Sequence, residues 1–217
     1  METTYAFDVY GTLIDTHGVV EALKPFAGNQ AHAFSTVWRE KQLEYAFRRG
    51  LMKHYVPFST CTAHALDYTA NRFEIDLTEK NRAELLDVYK RLPAFPDARP
   101  ALETLKAQGH RLFAFSNGSE AAVDRLLESA GLRALFEGIV SVEAIRSFKP
   151  DPGVYAHFMR CAEAKASEAW LISSNPFDVI GAISAGMRSA WVKRSENALF
   201  DPWGISPTRT VSRLTEL

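Results

Sequence analysis

The strongest constraint on the fold is the regular alternation of strand-like and helix-like segments after residue 100. Four short apolar runs lie at 110–115, 138–142, 169–173 and 189–192. Runs of helical character lie at 100–107, 121–130, 151–162 and 177–185. Repeated units of strand, helix and strand place their strands parallel in one sheet, with helices on both faces. The sequence therefore predicts an α/β fold in which the run at 189–192 is the final strand.

A long helical segment precedes this alternating region. A strand-like run at 5–9 is followed by helical character from about residue 18 to residue 90. The segment PAFPDARP at 93–100 ends this stretch, because three prolines in eight residues cannot continue a helix. We therefore predict a Rossmann-like parallel core made of residues 1–15 and 92–217. Residues 16–91 would form an all-helical cap inserted above the carboxyl end of the first strand.

Side chains locate two helices within the predicted cap. Trp38, Leu43, Phe47 and Leu51 recur at a spacing that predicts one apolar helix face. Thr78 is the expected N-cap of a later cap helix, because its hydroxyl can accept a hydrogen bond from a free backbone N–H of the first turn.

The balance of charges excludes large classes of binding protein. Lysine and arginine total 25 against 26 aspartate and glutamate residues, so the chain lacks the basic field that nucleic acids and membrane surfaces require. No apolar run approaches the roughly 20 residues of a membrane-spanning helix, and no signal peptide is visible. Cys61 and Cys161 provide neither a disulfide framework nor zinc-binding spacing, and both are expected to be buried thiols. We expect a cytoplasmic protein that binds neither nucleic acid nor membrane.

Polar side chains occupy the positions at which the predicted strands end. Ligands of open parallel sheets bind outside the carboxyl ends of the strands, so these positions form the candidate site. They comprise Asp8 after the first strand, Ser116 and Asn117 after the second, and the segment from Ser173 to Asp178 after the fourth. Lys149 precedes a proline, which disfavours helical backbone and allows the ammonium to lie beside Asp8.

Asp8 is the candidate nucleophile of this site. Gly11 permits a tight turn whose backbone N–H groups can orient the carboxylate, and Thr12 can donate a hydrogen bond to it.

Each of these residues also has an ordinary structural interpretation. Asp8 can cap a turn, and Lys149 can be a solvated surface lysine. Ser174 and Asp178 can cap the helix that begins near Pro176. Catalysis is favoured by the four signals taken together rather than by any one of them.

The order Asp-x-x-Gly-Thr, Ser-Asn, Lys-Pro and a late Asp resembles the haloacid dehalogenase superfamily over essentially the whole chain. Phosphatases of that superfamily carry a second acid two residues after the first, which protonates an alkoxide leaving group. This chain has Tyr10 at that position. Halide leaves without a proton, so tyrosine is compatible with dehalogenation and unfavourable for cleavage of a phosphate ester.

The opening FDVYGTL and the cap segment WREKQLEY at 38–45 closely resemble the L-2-haloacid dehalogenases, also called type II haloacid dehalogenases. The resemblance implies hydrolysis of (S)-2-haloacids to (R)-2-hydroxy acids and halide. Asp8 would attack C2 with inversion and form an ester. Water activated by Asp178, with help from Lys149, would then hydrolyse that ester. The resemblance further implies a homodimer that needs no metal and no other cofactor.

The resemblance also implies a role for each site residue. Arg39, Asn117 and Phe177 form the cradle for the departing halide. Ser116 and the backbone near Tyr10 hold the substrate carboxylate, whereas Tyr10, Leu43 and Phe58 surround the alkyl group. Thr12, Ser173 and Asn175 orient Asp8 and the hydrolytic water, and Tyr155 supports Lys149. Glu40 departs from the family, in which Gln is usual, and this departure bears on the range of substrates.

Two alternatives stay open at this stage. The first is a Mg²⁺-dependent phosphatase or phosphonatase of the same superfamily, in which Asp8 and Asp178 would bind the metal ion. A phosphonatase also requires a cap lysine, for which Lys24, Lys41 and Lys53 are candidates without a supporting motif. The second is a non-catalytic binding protein that retains the fold; it predicts degraded catalytic positions, yet Asp8, Lys149 and Asp178 are all present.

Overall fold

One six-stranded parallel sheet forms the centre of the molecule. The structure is a computed structural model that describes residues 2–217. Its strands are β1 (Thr4–Phe7), β2 (Arg111–Ser116), β3 (Gly138–Ser141), β4 (Ala169–Ser173), β5 (Arg188–Val192) and β6 (Arg209–Val211). They lie in the order β3-β2-β1-β4-β5-β6. The predicted α/β fold with a parallel, Rossmann-like sheet is therefore confirmed.

The prediction that 189–192 is the last strand was wrong, because β6 follows it at the edge of the sheet. Of the three residues of β6, only Val211 is buried. A strand this short and this exposed carries no apolar run by which sequence alone could identify it.

The α-helices of the described residues fall into two groups of four, one within residues 16–91 and one after residue 92. The first group is α1 (Gly18–Ala27), α2 (Ala31–Leu51), α3 (Phe58–Arg72) and α4 (Glu79–Val88). The second group is α5 (Ala98–Ala107), α6 (Glu120–Ser129), α7 (Pro152–Cys161) and α8 (Pro176–Ser184). The expected N-cap at Thr78 is confirmed, since its hydroxyl accepts a hydrogen bond from the backbone N–H of Asn81 at 3.2 Å.

The buried face of α2 differs from the predicted one. Leu51 is 89% exposed, and Leu43 and Phe47 are only partly buried. The face that packs inward consists of Ala31, Phe34, Trp38, Gln42 and Ala46. These residues also follow helical spacing, so periodicity alone did not distinguish the two faces. The choice is made by packing against α3, where the Trp38 indole donates to the carbonyl of Thr62 at 2.9 Å.

The sheet separates two hydrophobic clusters. Alternate residues of a strand point to opposite faces, so Phe7 packs in one cluster and Ala6 in the other. Phe113 and Ala114 of β2 divide in the same way. Burial on both faces explains why the central strands are almost continuously apolar in sequence.

Two segments connect the helices α1–α4 to the sheet, and they run side by side. The Asp15 N–H donates to the Pro93 carbonyl at 2.8 Å, and the Phe95 N–H donates to the Leu13 carbonyl at 2.9 Å. This pairing supports the division into a core of residues 1–15 and 92–217 and a cap of residues 16–91, which we retain as a proposal.

Two further expectations concern the surface and the cysteines. Within residues 2–217, none of the helices combines the length and the apolar character needed to cross a membrane. Cys61 is buried as expected, but Cys161 is exposed at the end of α7, so the prediction of two buried thiols was wrong for Cys161.

Candidate active site

The candidate site forms where β1, β2 and β4 end side by side. Phe7, the last residue of β1, is paired with Ala114 of β2 and with Ile172 of β4. Asp8 therefore emerges between Ser116 and Ser173, the last residues of those two neighbouring strands. Parallel pairing brings together residues that are more than 100 positions apart in sequence.

Asp8 is held by donors that fall mainly on one of its two carboxylate oxygens. Its Oδ2 accepts from Thr12 Oγ1 at 2.9 Å and from Asn175 Nδ2 at 2.8 Å, with Ser173 Oγ at 3.4 Å. In the described part of the chain, its Oδ1 accepts only from the Lys149 ammonium, at 3.2 Å. The carboxylate is thus fixed in orientation while one oxygen retains free lone pairs.

The loop after Asp8 is tied to the end of β4. Gly11 has φ of 86°, a backbone conformation that side chains with a Cβ rarely adopt. The hydroxyl of Ser174 donates to the Gly11 carbonyl at 2.8 Å, and the Ser174 N–H donates to Thr12 Oγ1 at 2.9 Å. Thr12 therefore receives one hydrogen bond from β4 and passes another to Asp8.

Lys149 occupies the centre of the site and is only 1% exposed. Its ammonium donates to Asp8 Oδ1 at 3.2 Å, to the Phe115 carbonyl at 2.9 Å and to Asp178 Oδ2 at 2.7 Å. These contacts use all three of its protons. Its surroundings exclude the alternative of a solvated surface lysine.

Asp178 lies in the first turn of α8 and is completely buried. Burial raises the pKa of its carboxyl group to about 6; Lys149 lowers that pKa, and the nearby charge of Asp8 raises it. A carboxylate with a pKa near neutrality is suited to accept a proton from water.

Tyr155 fixes the other oxygen of Asp178. Its hydroxyl donates to Asp178 Oδ1 at 2.9 Å, and burial raises its pKa well above the ordinary value, so the phenol stays protonated. The resemblance implied that Tyr155 supports Lys149; the structure instead places this hydroxyl on Asp178. Gly181 makes room for it, because a Cβ at that position would lie 2.7 Å from Cζ of Tyr155.

The donor set does not fit a magnesium ion. Asp8 and Asp178 are the carboxylates that would have to bind it, and the Lys149 ammonium already bridges them at 3.2 and 2.7 Å. Among residues 2–217 there is no group of three or more His, Cys, Asp or Glu side chains placed to hold a metal ion. Mg²⁺ requires several oxygen ligands in near-octahedral geometry. Here the Lys149 ammonium lies between the two carboxylates, at the position that the metal ion would need.

Ser116 and Asn117 leave donors directed at the same strand ends. Ser116 Oγ accepts from the Gly118 N–H at 3.1 Å, which leaves its O–H free to donate. Asn117 Oδ1 accepts from the Lys149 N–H at 2.9 Å, which leaves the amide NH₂ as a donor. Both side chains are buried, as is appropriate for groups that bind an anion away from bulk water.

Arg39 reaches the site from the cap. It is partly buried on α2, its Nη1 donates to Gln42 Oε1 at 2.7 Å, and its Nη2 donates to the Tyr10 carbonyl at 3.4 Å. The contact with Tyr10 places a guanidinium two residues from the candidate nucleophile. Glu40, the departure from the family pattern, is exposed and forms no ion pair within residues 2–217.

Aromatic side chains pack where helices α2 and α3 meet the strand ends. The Tyr10 ring lies 6.4 Å from the rings of Phe58 and Tyr89, and all three line a cavity of about 250 Å³. Burial raises the pKa of Tyr10 to about 12, so its hydroxyl stays neutral. Phe177 packs edge-on against Phe47 of α2, with 4.9 Å between ring centroids.

The structure thus joins most of the candidate residues in one hydrogen-bonded network. Members of this network are Asp8, Thr12, Lys149, Tyr155, Ser173, Asn175 and Asp178. Asn117 joins through the Lys149 backbone, and Arg39 bonds the Tyr10 carbonyl. Within residues 2–217, the hydroxyl of Ser116, at the end of β2, forms only the hydrogen bond that it accepts from the Gly118 N–H. Leu43, which is partly buried, and Phe177 lie outside the network.

Three contributors were missed from sequence. Ser174 lay in the candidate segment but was given no role there, with helix capping as its ordinary alternative; Asn175 is the N-cap of α8, and Ser174 binds the Asp8 loop. Phe115 contributes a backbone carbonyl, which its side chain could not signal. Gln42 gave no signal in the sequence, because the helix face on which it lies was not recognised as the buried face of α2.

Comparison with known proteins gives a consistent result. A model of the haloacid dehalogenase-like hydrolase family matches residues 3–186. Haloacetate dehalogenase H-2 of Moraxella sp. (strain B) is 39% identical over 206 residues, covering 95% of this chain and 92% of that protein. (S)-2-haloacid dehalogenase of Pseudomonas sp. (strain YL) is 36% identical over 209 residues, covering 96% and 90%.

Solved structures agree with these relatives. L-2-haloacid dehalogenase from Xanthobacter autotrophicus superposes with a TM-score of 0.93 at 30% identity, covering 100% of this chain and 96% of that one. The same protein with chloropropionic acid covalently bound also gives a TM-score of 0.93.

Proposed function

The chain belongs to the haloacid dehalogenase-like hydrolases, and on this basis we propose that it is an (S)-2-haloacid dehalogenase. It hydrolyses (S)-2-haloacids to (R)-2-hydroxy acids and halide. The observation that carries the proposal is the position of Arg39: a cap guanidinium binds the carbonyl of Tyr10, two residues after Asp8, where a phosphatase would present its second acid.

Asp8 attacks C2 of the substrate and displaces halide with inversion. Its Oδ1 is the attacking oxygen, because Oδ2 is stabilised by Thr12 and Asn175 and is the poorer nucleophile. The new C–O bond forms an ester between substrate and Asp8, and the C–halogen bond breaks with its electron pair. Ser116 and the backbone near Tyr10 hold the substrate carboxylate during this step.

The departing halide is received by Arg39, the NH₂ group of Asn117 and the edge of Phe177. Fixed donors around a developing anion stabilise the transition state more than the neutral carbon–halogen bond of the ground state. No proton donor is needed, which agrees with Tyr10, a phenol whose pKa is about 12. Tyr10, Leu43 and Phe58 enclose the alkyl group.

Hydrolysis of the ester regenerates Asp8. Asp178 accepts a proton from water while the resulting hydroxide attacks the carboxyl carbon of Asp8. The bond between that carbon and the substrate oxygen then breaks, and the departing alkoxide takes the proton from Asp178 and leaves as the hydroxy acid. Asp8 loses the proton of its new carboxyl group to solvent and is again a carboxylate. Lys149 offsets the charge that develops on Asp8, because its ammonium contacts both carboxylates. Tyr155 holds Asp178 in orientation.

We further propose that the reaction needs no metal ion and no other cofactor. The Lys149 ammonium supplies the positive charge that Mg²⁺ supplies in phosphatases of the superfamily. The family resemblance also leads us to propose a homodimer and a cytoplasmic location.

No observation favours the phosphonatase alternative: Lys24 and Lys41 form surface ion pairs with Glu21 and Glu44, and Lys53 is exposed.

The test is halide release from L- and D-2-chloropropionate by the wild type, by Asp8→Asn and by Asp76→Asn, an exposed aspartate that serves as control. We expect chloride from the L enantiomer only, D-lactate as product, full activity in EDTA, and loss of activity in Asp8→Asn alone. A single turnover in ¹⁸O-labelled water should label Asp8 and leave the product unlabelled, because the product hydroxyl oxygen comes from Asp8 Oδ1. No chloride from either enantiomer, together with Mg²⁺-dependent release of phosphate from a phosphomonoester, would refute the proposal.

A further inference from the structure

We propose that Gln42 is a positioning residue for the halide site: its neutral amide orients the Arg39 guanidinium without neutralising its charge. This inference rests on the proposed function for its halide ligand. The feature behind it is a polar side chain on the buried face of α2, where helix packing alone calls for an apolar one.

Gln42 lies at the centre of a buried hydrogen-bonded chain. The side chain is 1% exposed, and its Oε1 accepts from Arg39 Nη1 at 2.7 Å. Its Nε2 donates to Thr62 Oγ1, and Thr62 Oγ1 donates to the Phe58 carbonyl at 3.1 Å. The chain therefore links the guanidinium of α2 to the backbone at the start of α3.

The direction of this chain follows from its ends. A guanidinium can only donate, so the amide oxygen of Gln42 must face Arg39 and the NH₂ group must face Thr62. A carbonyl can only accept, so the hydroxyl proton of Thr62 must point to Phe58. Each of the three hydrogen bonds in the chain therefore has one possible direction, and the fixed amide oxygen of Gln42 holds Nη1 of Arg39.

The charge of Arg39 is left without a counter-ion inside the protein. Both of its acceptors, the Gln42 amide and the Tyr10 carbonyl, are neutral, and Arg39 forms no ion pair in the part of the chain that the structure describes. Arg194 provides the contrast within the same molecule, because its guanidinium binds both oxygens of Asp97 at 2.9 and 2.7 Å. Arg194 is a structural ion pair, whereas Arg39 retains its charge for an incoming anion.

Replacement of the Gln42 amide by a carboxylate separates the orientation of the Arg39 guanidinium from the preservation of its charge. Glu has the same length as Gln and can still accept from Arg39, but it would neutralise the guanidinium in a partly buried site where such a charge acts strongly. Gln42→Met conserves the approximate volume and removes the acceptor, so it releases the orientation without adding charge. Gln30→Glu, at an exposed glutamine immediately before α2, is the matched control.

The experiment measures bromide binding by calorimetry at constant ionic strength, and turnover of L-2-chloropropionate and L-2-bromopropionate, for all four proteins. In Gln42→Glu we expect bromide affinity to fall about tenfold or more, since a charge-assisted contact is lost. We expect kcat to fall more for the chloro than for the bromo substrate, because the poorer leaving group depends more on the cradle. Gln42→Met should lower bromide affinity and kcat in the same direction as Gln42→Glu, but to a smaller extent. Gln30→Glu should match the wild type.

The outcomes separate this inference from the proposed function. Wild-type bromide affinity and a wild-type ratio of the two kcat values in a folded Gln42→Glu or Gln42→Met would overturn the role of Gln42. An equal loss of kcat for both substrates with bromide binding intact indicates a purely structural residue and also overturns it. A wild type that binds bromide but releases no halide from either substrate refutes the proposed function, and the calorimetry still decides the role of Gln42.

Discussion

Lys149 and Asp178 form a buried ion pair, in which the ammonium lies 2.7 Å from the carboxylate and the side chains are 2% and 0% exposed. The same ammonium contacts Asp8 at 3.2 Å. The positive charge of Lys149 and the negative charges of Asp8 and Asp178 therefore share a site from which bulk water is excluded. Removing one partner of such a cluster leaves an uncompensated buried charge, which is more damaging than loss of a surface ion pair.

The acid limb of the pH–activity profile should report Asp178. Its pKa is about 6, raised mainly by burial, and the group must be ionised to accept a proton from water. Activity therefore falls as pH decreases through this value, by about tenfold per pH unit on the acid side. The measurement is kcat for L-2-chloropropionate across the acid range. A profile that stays flat through this pH would exclude Asp178 as the base.

Lys149→Met should abolish dehalogenation and change the dependence of stability on pH. Lys149 lowers the pKa of Asp178, so its removal raises that pKa further. The pKa of such a carboxyl group is about 3.9 in the unfolded chain and higher in the folded protein. The group stabilises the fold at pH values below its unfolded pKa, and this stabilisation is lost as pH rises through its folded pKa. The variant should therefore lose Tm relative to wild type as pH rises from about 4 to 7. An equal loss of Tm at every pH would contradict this account.

Tyr155→Phe should shift the acid limb to higher pH. The hydrogen bond from the Tyr155 hydroxyl lowers the pKa of Asp178, and the phenylalanine ring fills nearly the same space without it. The lost bond should also destabilise the fold by about 1 kcal/mol. Tyr45→Phe is the control, since Tyr45 lies on the cap helix α2 and packs against Tyr68. The measurement is kcat over a pH series for both variants. An acid limb at the wild-type pH in Tyr155→Phe would contradict the proposal that Tyr155 lowers the pKa of Asp178.

Gly181→Ala should destabilise the protein although alanine is the better helix former. The added Cβ would lie 2.7 Å from Cζ of Tyr155 and 2.8 Å from Cβ of Pro150, both in fixed surroundings. Overpacking of this kind costs about 1–3 kcal/mol, more than the roughly 1 kcal/mol gained in helix propensity. Urea unfolding of this variant and of Ser184→Ala, at an exposed position of the same helix, makes the comparison. Greater stability in Gly181→Ala would contradict the predicted collision.

The candidate site illustrates which contacts a sequence can reveal. Thr12 was expected to bond Asp8 and does so at 2.9 Å, because four residues and a tight turn leave few other arrangements. Helix capping was the one specific interaction considered for Ser174, as an alternative to a place in the site, whereas Ser174 binds Gly11 from 163 residues away. Local geometry can be deduced from neighbours in the chain, but a partner on another strand depends on how the sheet is assembled.

The cap illustrates the same limit for packing. Leu51 and Trp38 were assigned to one apolar face, and helical spacing permitted it, but α3 covers Trp38 and leaves Leu51 exposed. Gln42, which lies on the covered face, became interpretable only when Arg39 and Thr62 were seen on either side of it.

The sequence by itself determined the parallel sheet and the polar residues at its strand ends, because alternation and periodicity are local properties of the chain. It also allowed the Lys149 ammonium to lie beside Asp8, 141 residues away, but the tertiary structure alone decided that this ammonium binds Asp178, 29 residues away, at the same time. The tertiary structure also decided that the Tyr155 hydroxyl binds Asp178 and that Gln42 accepts a hydrogen bond from Arg39. These pairings depend on distances of a few tenths of an ångström between side chains on different elements, and such distances are fixed by close packing of the whole core.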